Sequence, residues 1–146
     1  MQHSANSSTS KQPDDRDPEG RDLAIIVESL YVANLLIVPV LGFIALAVIY
    51  IKKHGSLPAL ADCHLEQTMS ASIWIGIIFF VAAITTMMMN LLGVDDVTLW
   101  IITIITFTIM HATMVLLGVF GLAKALAGKC WRYPVVGKPL PANCPE

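Results

Sequence analysis

The chain has 146 residues, of which 55% are hydrophobic and only 14% charged, with a formal net charge of −2 and a mean hydropathy of +0.69. A soluble domain carries about a quarter of its residues as charges to hydrate its surface, so the composition excludes an ordinary water-soluble fold. No basic patch of the kind that binds nucleic acid stands out.

Residues 1–22 are polar, rich in Ser, Asn, Asp and Pro, and hold eight of the chain's charges. This composition predicts a disordered N-terminal tail, and without an apolar core it is no signal peptide, so the first span must also serve as the insertion signal. From residue 23 the chain turns apolar. Three uncharged stretches follow, Ser29 to Ile51, Gln67 to Val94 and Val97 to Ala123, each exceeding the roughly 20 residues that cross about 30 Å of hydrocarbon as a helix. The expected fold is an all-α integral membrane protein with three transmembrane helices over residues 23–129, followed by a Pro-rich C-terminal tail over 130–146.

The first segment, "DLAIIVESLYVANLLIVPVLGFIALAVIYIKK", contains Glu28, Pro39 and Gly42. Proline removes an intrahelical hydrogen bond and clashes with the preceding turn, which predicts a kink near Pro39. Residues 23–31 belong either to this span or to a helix lying in the interface before it.

Ser72, Gly76, Phe80, Ala83, Met87 and Asn90 fall along one stripe of the second span, and Gly118, Gly121 and Ala125 along one of the third, with small residues recurring in each. Such stripes let helix backbones approach closely in lipid. Met87, Met88 and Met89 add an adaptable surface suited to packing on partners.

His111 lies near the middle of the third span, about 20 Å from either end by helix rise. An ionisable group at that depth is costly and counts as a functional candidate. It has two readings: a neutral imidazole bonded to a carbonyl freed by Pro39, or a cofactor-binding residue, as an axial ligand to haem b or a quinone contact. His64, His54 and His3 lie at other depths, so a two-histidine haem site would need a second chain. The expected cofactor set is none, with haem b the alternative.

Lys52, Lys53, Lys124, Lys129, Arg132 and Lys138 flank the spans on one side of a three-pass topology, whereas the 93–97 turn carries Asp95 and Asp96. The positive-inside rule then places the C-terminus in the cytoplasm and the N-terminus outside. Cys63, Cys130 and Cys144 would face a reducing compartment, which argues against a structural disulfide. Cys63, His64, His54 and Cys130 share a side, but no CxxC or HxxxH spacing supports a metal, and none is expected.

The stretch "IKKHGSLPALADCHLEQTMSAS", with Pro58, Asp62 and His64, and the stretch "GKCWRYPVVG", with Arg132, Tyr133 and Pro134, resemble a small bacterial membrane family of unknown function related to the Tic-type chloroplast inner-envelope import component. The resemblance covers about residues 24–136. Gln67 to Ser72 depart from the Glu-Ala-Leu-Asn-Phe-Gln that follows the histidine in that family. It implies a helical protein of a bacterial inner membrane with no catalytic residues. Read locally, Asp62 and His64 would cap the second span and Glu66 would suit its dipole. Trp131 and Tyr133 would sit in the interfacial aromatic belt, and Pro134 would stop the third helix. Loop and tail would thus form a structural clamp.

No nucleophile with a base, paired carboxylates or phosphate-binding glycine loop appears. The sequence therefore points to a non-catalytic accessory or scaffold subunit, surrounded by lipid and packed on other membrane subunits or on itself. The alternative is a redox membrane anchor that uses His111.

Overall fold

The computed structural model describes residues 19–141 and Cys144. It contains four helices: α1 (Arg21–Leu36), α2 (Pro39–Lys53), α3 (Ala59–Leu91) and α4 (Asp96–Leu126). Among the described residues there is no strand. The tail expected over residues 1–22 lies outside the described residues up to residue 18.

Among the described residues two helices, not three, are long and apolar enough to cross a membrane. They are α3 and α4, with mean hydropathies of 2.1 and 2.0 in their most apolar windows, and only 11% and 6% of those windows are buried within the molecule. The expected first span is broken. α1 and α2 have 16 and 15 residues, about 24 and 22 Å at 1.5 Å per residue, short of the roughly 30 Å a spanning helix needs.

Pro39 causes the break. A residue before proline is pushed out of the helical region, and Val38 indeed lies outside it at φ −135°, ψ 69°. Pro39 then opens α2 in the first helical turn, where a missing N–H costs nothing. The chain does not kink and continue; it turns back. Gly42 packs against Asn34 so closely that a Cβ there would lie 2.9 Å from the Asn34 Cα, and Gly20 meets Pro58 and Ala61 at the start of α3. α1 and α2 are therefore an antiparallel helical hairpin.

This hairpin reaches only halfway along the α3–α4 pair. Its turn lies level with Ile75 and Ile78 on α3 and Met110 and Met114 on α4. Every buried residue of α3 falls between Leu60 and Ile75. Beyond that level α3 and α4 have only each other, and Phe80, Met87, Leu91, Val97 and Trp100 are exposed.

The third-span stripe is what receives α1. Gly118 faces Tyr31 and Gly121 faces Glu28, where an added Cβ would approach to 2.9 and 2.5 Å, and Ala125 is buried in one cluster with Ala24. The stripe on α3 packs only at Ser72; Phe80 and Met87 on it are 67% and 64% exposed, because the hairpin ends below them.

The turn between α3 and α4 is closed at both ends. Gly93, at φ +81°, donates to the Asn90 carbonyl and Val94 to that of Met89, a Schellman ending. The Asp95 side chain then caps α4 by accepting from the Thr98 amide at 2.9 Å. α4 itself ends in a second Schellman motif. Gly128 at φ +67° donates to Ala125 and Lys129 to Lys124. Pro134 lies well past this point and is not what stops the helix.

The start of α1, the α2–α3 loop and the C-terminal segment all meet at one end of the molecule. Gly20 touches Pro58, and His64 bonds the Lys129 carbonyl. The expectation that N- and C-terminal segments lie on opposite sides rested on three spans, and only two helices among the described residues are long and apolar enough for one.

Candidate functional site: a buried carboxylate, imidazole and phenol

Glu28 sits on the face of α1 that also carries Ala24, Val27 and Tyr31, all fully buried. Both of its carboxylate oxygens are used. Oε1 lies 2.6 Å from His64 Nδ1, and Oε2 accepts from the Tyr133 hydroxyl at 2.7 Å. The other ring nitrogen of His64 donates to the Lys129 carbonyl at 3.0 Å. Glu28, His64 and Tyr133 are each 0% exposed.

Proton bookkeeping is constrained here. A carbonyl only accepts, so His64 Nε2 must carry a hydrogen, and one further proton must lie between Nδ1 and Glu28 Oε1. The pair is either imidazolium–carboxylate or imidazole–carboxylic acid, and Tyr133 donates in both. Burial, and then the adjacent Glu28 carboxylate, push the Tyr133 phenol far above the usual tyrosine range. An uncompensated charge at such a site would cost several kcal/mol; three hydrogen bonds compensate this one.

The C-terminal segment is strapped over α3. The Gln67 amide donates to the Lys138 carbonyl at 2.7 Å and the Ser70 hydroxyl to that of Val136 at 2.7 Å. Lys138 pairs with Glu66 at 3.0 Å, a bond that holds the Lys138 ammonium above its usual range. Arg132 Nε donates to the Gly137 carbonyl at 3.3 Å, tightening the turn that Pro134 begins.

Several residues singled out in the sequence thus take other places. His64 is not a helix cap but a buried partner of Glu28. Asp62 does not cap α3, whose N-cap Pro58 makes no side-chain bond; it closes the preceding loop by accepting from Gly55 N and His54 Nδ1 at 2.9 and 3.0 Å. Tyr133 is not in an interfacial belt but in the core. Cys130 and Cys144 form a disulfide, which the sequence argued against from compartment alone. Glu28 was overlooked, although one carboxylate inside "AIIVESLYV" was signal enough.

His111 stands apart from this cluster. Half-buried, it stacks on Phe107 at 5.3 Å between ring centroids. It lines a cleft of about 740 Å³ together with Asn34, Leu35, Phe43, Ser72 and Phe107. Asn34 Oδ1 and Ser72 Oγ are buried there without a hydrogen-bond partner.

The model of MamF/MmsF, the magnetosome magnetite crystal formation protein family, fits residues 19–140, and the chain belongs to that family. No curated protein and no solved structure matches. Nothing in these comparisons supports the relation to the Tic-type import component.

Proposed function

We propose, from membership of that family, that this chain is a non-catalytic accessory subunit of the membrane around forming magnetite crystals. α3 and α4 would cross that membrane and α1–α2 would enter it from one face. The observation that carries the non-catalytic reading is the closure of the Glu28–His64–Tyr133 cluster. Each of its hydrogen-bonding side-chain atoms is occupied by the chain's own groups, and none is exposed. A catalytic acid or base must reach substrate; these groups instead fasten α1, α3 and the C-terminal segment together.

Arg21, Lys52, Lys53, Lys124, Lys129, Arg132 and Lys138 belong to that same end, and Asp95 and Asp96 to the opposite turn. The positive-inside rule then favours a cytoplasmic basic end with both terminal segments on the cytoplasmic side. The exposed apolar length of α3–α4 would pack on lipid and on neighbouring subunits. Purification in mild detergent tests the accessory role: co-purifying membrane subunits or further copies are expected, and a lone monodisperse monomer would overturn it.

A second reading rests on the cleft beside His111. Its buried, unpartnered Asn34 and Ser72 oxygens suit an amphipathic quinone-like ligand better than a two-histidine haem, since both nitrogens of His64 are engaged elsewhere. Quinone extracted with the wild-type protein but not with His111→Ala would support it; equal amounts from both would remove it.

A further inference from the structure

We propose that, once the Cys130–Cys144 disulfide is reduced, Cys63, Cys130 and Cys144 form a three-thiolate site for a thiophilic divalent ion of the Zn²⁺ class. The three sulfurs come from separate parts of the chain: the start of α3, the loop after α4 and the far end of the C-terminal strap. They nonetheless lie within 4.8 Å of one another.

A disulfide uses only two of them. Cys63 is a free thiol, buried to 1% exposure, held within reach of both others. Three sulfurs at the usual Zn–S distance of about 2.3 Å from one ion stand roughly 3.8–4.0 Å apart, so Cys130 and Cys144 must part from bonding distance once reduced, while Cys63, within 4.8 Å of both, needs only a small approach. The Trp131 backbone amide donates to the Cys63 sulfur, the kind of outer contact that supports a metal-bound thiolate.

The sequence had paired Cys63 and Cys130 with two histidines, and the structure withdraws both. His64 is committed to Glu28 and Lys129, and His54 is bonded to Asp62 and stacked on Tyr50 at 4.5 Å. Cys144 takes their place. Because Cys144 is only half-buried while the other two are buried, its side is open to water as a fourth ligand.

The chemistry balances simply. A dithiol reductant converts the disulfide to two thiols and is itself oxidised to a disulfide. Binding of M²⁺ then releases three thiol protons to solvent and leaves a complex of net charge −1. The ion would replace the disulfide in fastening the strap to the loop after α4 and would tie both to α3 through Cys63.

The test uses the full chain in mild detergent, reduced, freed of reductant under anaerobic conditions and titrated with Cd²⁺ or Co²⁺. One ion per chain is expected, with sulfur-to-metal charge-transfer absorption and protection of the thiols from alkylation. Cys63→Ser should weaken binding by about 100-fold or more. Cys144→Ser, which touches only the strap, should do the same while circular dichroism remains that of the wild type. Absence of the charge-transfer band, or binding by either variant as tight as that of the wild type, would overturn the site. So would a Cys130–Cys144 disulfide that resists reduction in the folded protein.

Discussion

Glu28 on α1 and His64 on α3, 36 positions apart, meet at 2.6 Å with no exposure to solvent. Neither could be buried alone, and Tyr133 and the Lys129 carbonyl complete the set. Removing one partner should therefore strand the other. His64→Ala is expected to lower stability by about 3–5 kcal/mol, and Glu28→Ala by a similar amount. The double variant should lose much less than the sum, because the second deletion removes a charge already stranded. Thermal melts of the four proteins in one detergent would show this, and strict additivity would refute the coupling.

Tyr133→Phe deletes one donor and keeps the ring. A hydrogen bond to a charged group contributes about 1.5–3 kcal/mol, and a loss in that range is expected. Its pH dependence follows from the raised phenol. The folded state holds this proton above the unfolded tyrosine value of about 10, so the contribution is complete below pH 10 and falls as pH rises beyond it. Melts at rising alkaline pH should decline less steeply for Tyr133→Phe than for the wild type.

Gly121→Ala should be damaging where Gly76→Ala is harmless. A methyl at 121 would come within 2.5 Å of Glu28 Oε2 and 2.8 Å of the Tyr133 hydroxyl, whereas none of the described residues comes within 4 Å at 76. Overpacking costs about 1–3 kcal/mol; the open helical site should gain a few tenths, up to about 1 kcal/mol. A melting temperature unchanged by Gly121→Ala would contradict the close approach of α1.

Sidedness can be read directly. With the native cysteines replaced by serine, single cysteines at Glu19 and Ser56 should react with an impermeant maleimide from the same face of sealed vesicles, and one at Val94 from the other. Labelling of the Glu19 position from the same face as Val94 would restore three passes.

The sequence revealed the helical class, the two long spans and the Gly118–Gly121–Ala125 contact face, because each depends on a local property: length, hydropathy or spacing. Pro39 was visible, but its effect was underestimated. A proline kink and a proline reversal look alike in sequence, and what separates them is the pairing of Asn34 with Gly42 across the turn. The buried cluster was hidden for a similar reason. Glu28, His64 and Tyr133 lie on three elements, and no spacing rule joins them. His64 beside Asp62 near a helix start reads as a cap until α1 is folded against it.

The half-length hairpin gives the molecule unequal ends. Set across a bilayer, it would occupy the area of four helices in one leaflet and of two in the other, like a wedge with its broad side at the basic end. Such a shape is better accommodated where the broad-side leaflet is stretched, on the convex face of a strongly bent membrane. Reconstituted with that end outward, the protein should partition to small vesicles over large ones in a flotation assay, and a variant lacking α1–α2 should lose the preference.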